Sequence, residues 1–330
     1  MAKFKVKNDL QELSLDLLTG QVKKYSTDEA NDILRNAIID ACGGEFNRYT
    51  YGQNKYKVFA ILADTLQVAV GYTMFEKFSE LADFHNVALG DTIKFKIEDT
   101  SLFKVYTTSK GNRDIDRQKL YGDYLTVPTE RIAVKIYEEL DRMLSGRINW
   151  TTMTQRVADS IAYEIGKRIY NAVYGAYDVV SAPYKASMSG TFSATALETA
   201  IAHVEASTGR TAKVLGTKSM LGKITDAEVS DEMKNTKNKL GHYGVWRGTA
   251  LEVLPQGHIA GTDNFAVSDG FLIVVPDGEK IVKVITEGET IVDDKTTDGN
   301  RNDEQVEFYM GENIGVAAIK SKSYAILRLA

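Results

Sequence analysis

One segment dominates what this chain can become. From Trp150 onward, Val157, Ile161, Ile165, Ile169 and Val173 recur every fourth residue, so their stripe drifts slowly around a helix. Tyr163, Tyr170, Tyr174 and Tyr177 fill a second face, leaving only Ser160, Glu164, Lys167 and Asn171 as a polar strip. Thr152 and Gln155 have the spacing of a capping box. About 27 residues at 1.5 Å each predict a rod of roughly 40 Å. A rod apolar over most of its circumference must be covered on more than one side, so it is the spine of a domain.

Before the spine the pattern is helical, then extended. The first 25 residues carry scattered lysines and isolated leucines, including Leu10, Leu13 and Leu17, and read as an arm that orders only against another surface. Ser26 and Glu29 then suggest a capped helix through Ile33, Leu34, Ala37 and Ile38, stopped at Gly43-Gly44. A second helical pattern runs from Val58 to Ala69, with Gly71 as its expected break. From Asp91 the period changes to two, through Ile93, Phe95 and Ile97. A polar stretch from Ser109 to Asp114 and a second extended run from Leu120 to Val127 complete a long excursion. It holds too few apolar residues for a core of its own, and an isolated hairpin is only marginally stable. It must lie on another surface.

After the spine, Thr195 and Glu198 suggest the cap of a short helix, and Lys213-Val214-Leu215 a buried strand. Thr225 to Lys239 is charged, nearly free of large apolar groups, and reads as an exposed loop. Five strands are expected at 250–254, 265–267, 271–275, 281–285 and 324–329. Asp269-Gly270, Asp277-Gly278 and Asp298-Gly299 supply turns. The fold class is α+β.

Composition narrows the function. The 330 residues carry 40 basic and 45 acidic side chains, a net charge of −5, which disfavours a protein built to grip phosphate backbones. The single cysteine, Cys42, removes internal disulfides and cysteine-rich metal modules, and beside Ala41 it reads as a buried small hydrophobe. The start has no secretion signal. The most apolar stretch, 58–70, is interrupted by Asp64 and Gln67 and reads as too short to span a bilayer, so a soluble cytoplasmic product is expected.

Motifs that carry chemistry fail one by one. Between Gly216 and Gly222 lie five residues, and Ile224 follows Lys223, so the phosphate-loop pattern is broken and a strand turning into a short helix is expected. Asp298, Asn300 and Asn302 alternate as in a calcium loop, but Asp303 stands where glycine is needed and Tyr309 where the bidentate glutamate belongs. His85, His203, His242 and His258 are scattered without zinc-ligand spacing, and His203 reads as a structural histidine. Glu138-Glu139 and Asp293-Asp294 read as solvated turns. No nucleophile elbow or dinucleotide fingerprint occurs. No catalytic, cofactor-binding or metal-ligating residue is assigned.

The succession of elements says more. Gly90 to Phe95 looks like a strand entering an extended loop, and Ile132-Ala133-Val134-Lys135-Ile136-Tyr137-Glu138-Glu139-Leu140 the passage leaving it. Gly244, Gly248, Leu251 to Pro255, Phe265, Asp269-Gly270 and Phe271 to Pro276 form a third pattern. Gly315 to Ala318 and Tyr324 to Leu327 form the last. In this order they resemble the major capsid protein of tailed bacteriophages, the Hong Kong 97-type fold, over most of residues 55–330.

The resemblance implies a structural shell subunit, not an enzyme. Copies would form hexamers and pentamers that close into an icosahedral head around double-stranded DNA, made in the bacterial host cytoplasm and residing in the virion. It implies an arm and helix at 1–54, a helical lead-in at 55–90 and an extended loop at 91–128. A peripheral domain would follow at 129–215, its spine helix at 150–178. An axial domain would occupy 216–312, and a strand returning to the peripheral domain 313–330. Loop residues Phe95, Ile97, Leu102, Phe103, Val105, Tyr106, Lys110, Arg113, Arg117, Leu120 and Tyr121, with Leu10, Leu13 and Leu17 of the arm, are the expected inter-subunit contacts. Heterologous contacts of this kind make rings when the rotation closes. Separate scaffolding, portal and decoration proteins are the further partners implied; contact with packaged DNA would be non-specific, in keeping with the mild negative charge, and no membrane is implied. Only a short arm precedes the matching region, where many family members carry a long cleaved segment. Lys104, Lys110 and Lys119 lie in the loop, but no asparagine or glutamate aligns for a cross-link, and none is assigned. The alternatives are an encapsulin-type compartment, a tail or connector protein, and a cytoplasmic α+β enzyme.

Overall fold

The computed structural model describes residues 15, 27–96, 103–110, 115–118, 124–139, 142, 145, 147–188, 190–226, 229–259, 261–294, 305–319 and 324–329. The arm residues Leu10, Leu13 and Leu17, the Ser26 cap, the loop positions Ile97, Leu102, Arg113, Lys119, Leu120 and Tyr121, and the calcium-like residues at 298–302 lie outside them.

Three helices build the first layer. Helix α1 (Thr27–Ala41) buries Leu34, Ile38 and, just beyond its end, Cys42 at four-residue spacing. Helix α2 (Arg48–Phe78) is 31 residues long. Asn47 caps it: its side chain accepts from the Tyr49 and Thr50 amides while Thr50 Oγ1 accepts from the Asn47 amide. Gly71 does not break the helix, because neighbours on both sides of it, Val70 and Met74, are buried and hold the turn in place. By length and apolarity α2 could cross a bilayer, so length does not exclude a span as the 58–70 stretch suggested. It is instead a core helix, burying Val58, Phe59, Leu62, Leu66 and Phe78.

The spine, α3 (Trp150–Ala176), is where the four-step pattern put it, and Val157, Ile161, Ile165, Ile169 and Val173 are all buried. Its cap is Asn149, which accepts from the Thr152 amide, and not the Thr152/Gln155 box. Asn31 of α1 accepts from the Trp150 amide, so a second helix closes the same end. Gly166 lets α2 approach: a Cβ there would sit 2.3 Å from the Phe78 ring.

These helices cover a four-stranded sheet, ordered β1 (Ala82–Val87), β10 (Val282–Asp294), β11 (Gln305–Ala318), β4 (Glu130–Glu139). β1 runs parallel to β10; the other pairs are antiparallel, with a bulge between Glu287 and Ile291. Phe308 of β11 meets Phe59 and Trp150 edge-on, joining sheet and helices. Glu138-Glu139 and Asp293-Asp294 lie in strands rather than turns.

A six-stranded sheet follows the order β5 (Lys185–Met188), β12 (Ala325–Leu329), β9 (Phe271–Pro276), β6 (Ala212–Gly216), β8 (Thr249–Val253), β7 (Val245–Trp246). Strand alternation divides its side chains between two cores. Ile273 and Val275 join the large core under the spine; Leu272 and Val274 join a second core with Leu197, Val204 and Trp246. Helix α4 (Ala194–Thr208) covers that second core and is capped by Ser193, not by Thr195. β6 turns into the short helix α5 (Lys218–Gly222), as the failed phosphate-loop pattern implied, with Thr217 as cap.

Two further expectations change. Residues 225–239 are not all loop: α6 (Asp231–Leu240) is a helix with no buried residue, held by the Ser230 cap, acids in its first turn, lysines in its last, and left-handed Gly241. Phe265–Val267 is not a strand but carries one isolated bridge, His258 to Phe265. His203 is exposed, its ring 6.0 Å from Tyr184. The closing segment 313–330 divides between the sheets, since β11 ends in the first and β12 lies inside the second.

Lys213 ties the six-stranded sheet to the end of α2. Its side chain, 6% exposed, reaches from β6 to Glu80 at the end of α2, and also pairs with Glu252 at 3.4 Å and Asp277 at 3.8 Å.

Candidate inter-subunit surface

Within the stretch 91–128 the described residues form an anchored, paired root. β2 (Lys94–Lys96) pairs antiparallel with β3 (Tyr124–Thr126), Phe95 opposite Leu125. Ile93, Phe95 and Leu125 pack on Val127 and on Val87 and Ile285 of the four-stranded sheet. Phe95 therefore serves its own subunit: its ring lies 5.0 Å from that of His85, with the Lys283 ammonium 5.6 Å from its centre. Lys283 donates to Asp83 at 2.6 Å, and His85 Nε2 sits 2.9 Å from the same oxygen. Burial pushes the Asp83 carboxyl up, but the hydrogen bonds from Lys283 and His85 outweigh it and hold the group below the usual carboxylate range.

A second device closes the root. Glu287, at the bulge of β10, accepts from the Gly90 amide at 2.8 Å and from the Thr129 hydroxyl. Gly90 precedes β2 and Thr129 follows β3, so one carboxylate grips both legs. The Thr129 hydroxyl, and then the Gly90 amide, hold its acidity below the ordinary glutamate value.

Beyond the root, 103–110 and 115–118 lie side by side. Lys104 and Gln118 exchange two hydrogen bonds of 2.7 and 2.8 Å, and the Tyr106 hydroxyl donates to Asp116 at 3.0 Å. The apolar side chains here face solvent: Val105 is 94% exposed, Phe103 52% and Ile115 51%. Lys110 and Arg117 are exposed among them. Apolar groups exposed in a row on an extended segment are unusual on a subunit surface. Elsewhere, Tyr49 and Tyr56 at the start of α2 and Tyr137 on edge strand β4 are also exposed.

Of the expected contact residues, the structure brings Phe103, Val105, Tyr106, Lys110 and Arg117 together on the outer hairpin and turns Phe95 inward. Sequence reasoning missed Glu287, Thr129 and Gln118. Among the described residues no group of His, Cys, Asp and Glu is arranged to hold a metal ion. Cys42 is buried, and burial raises its thiol despite the opposing charge of Lys57.

Residues 9–328 match the family model described as "SPbeta prophage-derived putative capsid protein YonB". The chain belongs to the YonB family. None of the curated proteins matches it. Solved structures share its fold at low identity. The mature capsid of bacteriophage PhiM1 superposes with a TM-score of 0.52 at 10% identity, covering 77% of this chain and 86% of that one. The capsid of an empty GTA particle gives 0.50 at 12% identity, covering 77% and 89%. A virus-like particle from Pyrococcus furiosus gives 0.48 at 11%, covering 80% and 98%. The chain has the Hong Kong 97-type capsid fold. By its family it is a structural capsid protein, part of a virion, and not an enzyme.

Proposed function

We propose that copies of this chain form hexamers and pentamers that close into an icosahedral head around double-stranded DNA, each hairpin 91–128 lying across the next subunit. The observation that carries this is the contrast along the hairpin: a root gripped by Glu287 and packed on the sheet, and an outer part whose apolar side chains nothing described in its own chain covers. Phe103, Val105, Tyr106, Lys110 and Arg117 are the contact residues on this reading. Leu10, Leu13 and Leu17 of the arm, with Ile97, Leu102, Arg113, Leu120 and Tyr121, are further contact residues on this reading.

On the same reading α1 to α3 and the four-stranded sheet form the peripheral domain, and the six-stranded sheet with α4 to α6 the axial domain; the boundary expected at 215/216 is therefore revised, because β5 and β6 pair in the six-stranded sheet whereas β10 and β11 pair in the four-stranded one. Subunits are made in the host cytoplasm, and separate scaffolding, portal and decoration proteins assist. DNA contact is weak and non-specific, in keeping with the net charge of −5.

Negative-stain electron microscopy and sedimentation of the purified chain test the proposal. Capsomer-sized rings or closed shells are expected, and a small oligomer that never assembles would overturn it. Deleting 101–118 should leave a folded subunit that no longer assembles. Normal shells from that deletion would refute the role of the hairpin.

A further inference from the structure

Helix α2 and the four-stranded sheet do not close completely on one another. Gln67, Met74 and Phe75 from α2, Phe84 from β1 and Glu312 from β11 line a partly open cavity of about 290 Å³. Glu312 is the anomaly. Strand alternation places it in the row of Phe308, Met310 and Ile314, all core residues, and it is 9% exposed. Its Oε2 is shut off from solvent with no hydrogen-bond partner.

The other charged groups on the cavity wall are engaged. Asp83 is held by Lys283 and His85, and the Lys280 ammonium lies 5.9 Å from the centre of the Phe75 ring. Among the residues that line the cavity, α2 contributes no charged side chain. A buried carboxylate without a partner is costly, and a cation that reaches it offsets part of that cost.

We propose that this cavity binds a primary alkylammonium group, its methylene stem against Met74, Phe75 and Phe84 and its ammonium on Glu312. With Asp83 already held by Lys283 and His85, Glu312 is the one unengaged carboxylate on the wall, and that does not suit a divalent metal, which needs several oxygen ligands. It suits one positive charge on a short hydrocarbon chain. Two sources supply that chemistry: a free diamine, or a lysine side chain from a second copy of this chain. The site stands on the geometry of one subunit and does not depend on the shell reading.

Burial pushes the Glu312 carboxyl up to about 7, so neutral pH divides it between its two forms, and only the ionised form attracts an ammonium. Titration calorimetry of the full-length chain with n-butylamine and 1,4-diaminobutane tests the site. Saturable binding is expected, roughly tenfold tighter at pH 8 than at pH 6, with 1-butanol failing to bind. Glu312→Gln keeps the shape and should weaken binding at least tenfold, its fold checked by circular dichroism. No saturable binding at pH 8, or equal binding by the variant, overturns the proposal. In assembled particles, continued uptake of the diamine identifies a free amine. A cavity closed to diamine, together with weaker assembly of the variant, identifies a lysine of the second copy.

Discussion

Val105→Asp separates a hairpin that works between subunits from one that merely decorates a surface. Val105 is 94% exposed in the isolated subunit, so the change removes no internal contact and should alter folding stability by no more than about 0.5 kcal/mol. If the side chain is buried on a neighbour, the lost transfer free energy is about 1.5 kcal/mol, before the cost of placing a carboxylate in that contact. That alone is about a tenfold weaker contact, repeated at every interface of a closed ring. The assay pairs a thermal melt of the unassembled chain with sedimentation across a concentration series. An unchanged melt with an assembly threshold raised at least about tenfold is expected. Assembly at the wild-type threshold would refute the argument, because the most exposed apolar group on the hairpin would then do nothing between subunits.

Gly166→Ala should destabilise the fold by about 1–2 kcal/mol despite the better helix propensity of alanine, because its Cβ would meet the buried Phe78 ring at 2.3 Å. Pairing it with Phe78→Ala should give less than the sum of the two losses in a double-mutant cycle. Glu312 binds its proton more tightly folded than unfolded, so its contribution is fully present below about pH 4.5 and is lost as pH rises to about 7. Denaturant titrations should therefore show Glu312→Gln gaining on the wild type across that window, by on the order of 3 kcal/mol at pH 8. An equal pH dependence in both proteins would refute the burial of that carboxyl. Cys42 should resist iodoacetamide in the folded chain and react on unfolding, as read by mass spectrometry, since burial keeps it as the thiol.

What could be read from the sequence was what repeats locally. The spine declared itself through a four-residue step, and the hairpin through period-two alternation without enough apolar residues to close a core. Helix α6 escaped because it buries nothing: it has no apolar stripe, and its stability lies in the Ser230 cap, Gly241 and charges matched to the helix dipole. Asn47 and Asn149 escaped as caps because Thr152 and Gln155 offered a competing local pattern and Asn47 offered none. The Glu287 grip escaped for a different reason. Glu287 lies 197 residues from Gly90 and 158 from Thr129, so only the folded sheet brings them together. Phe95 was assigned to the neighbour because alternation shows which face a residue is on, but not whose surface that face meets.

That distinction bears on how such a shell closes. An arm that is sticky along its whole length would bind neighbours at many angles and give aggregates rather than rings. Here the sticky part begins only after a root whose direction is fixed by Phe95 on the sheet and by Glu287 on both legs. Glu287 is more acidic than an ordinary glutamate, so the grip is complete above the usual carboxylate range and is lost only as pH falls through its lowered value. At neutral pH the hairpin therefore leaves every copy along one direction. A heterologous contact closes into a ring only when each copy repeats the same rotation. On the proposed reading the root supplies the rotation and the exposed side chains beyond it the adhesion, and residues at 105 and 287 can be changed separately to test it: Val105→Asp should raise the assembly threshold while the particles that form stay regular, whereas Glu287→Gln should leave the threshold unchanged and yield irregular assemblies under the electron microscope.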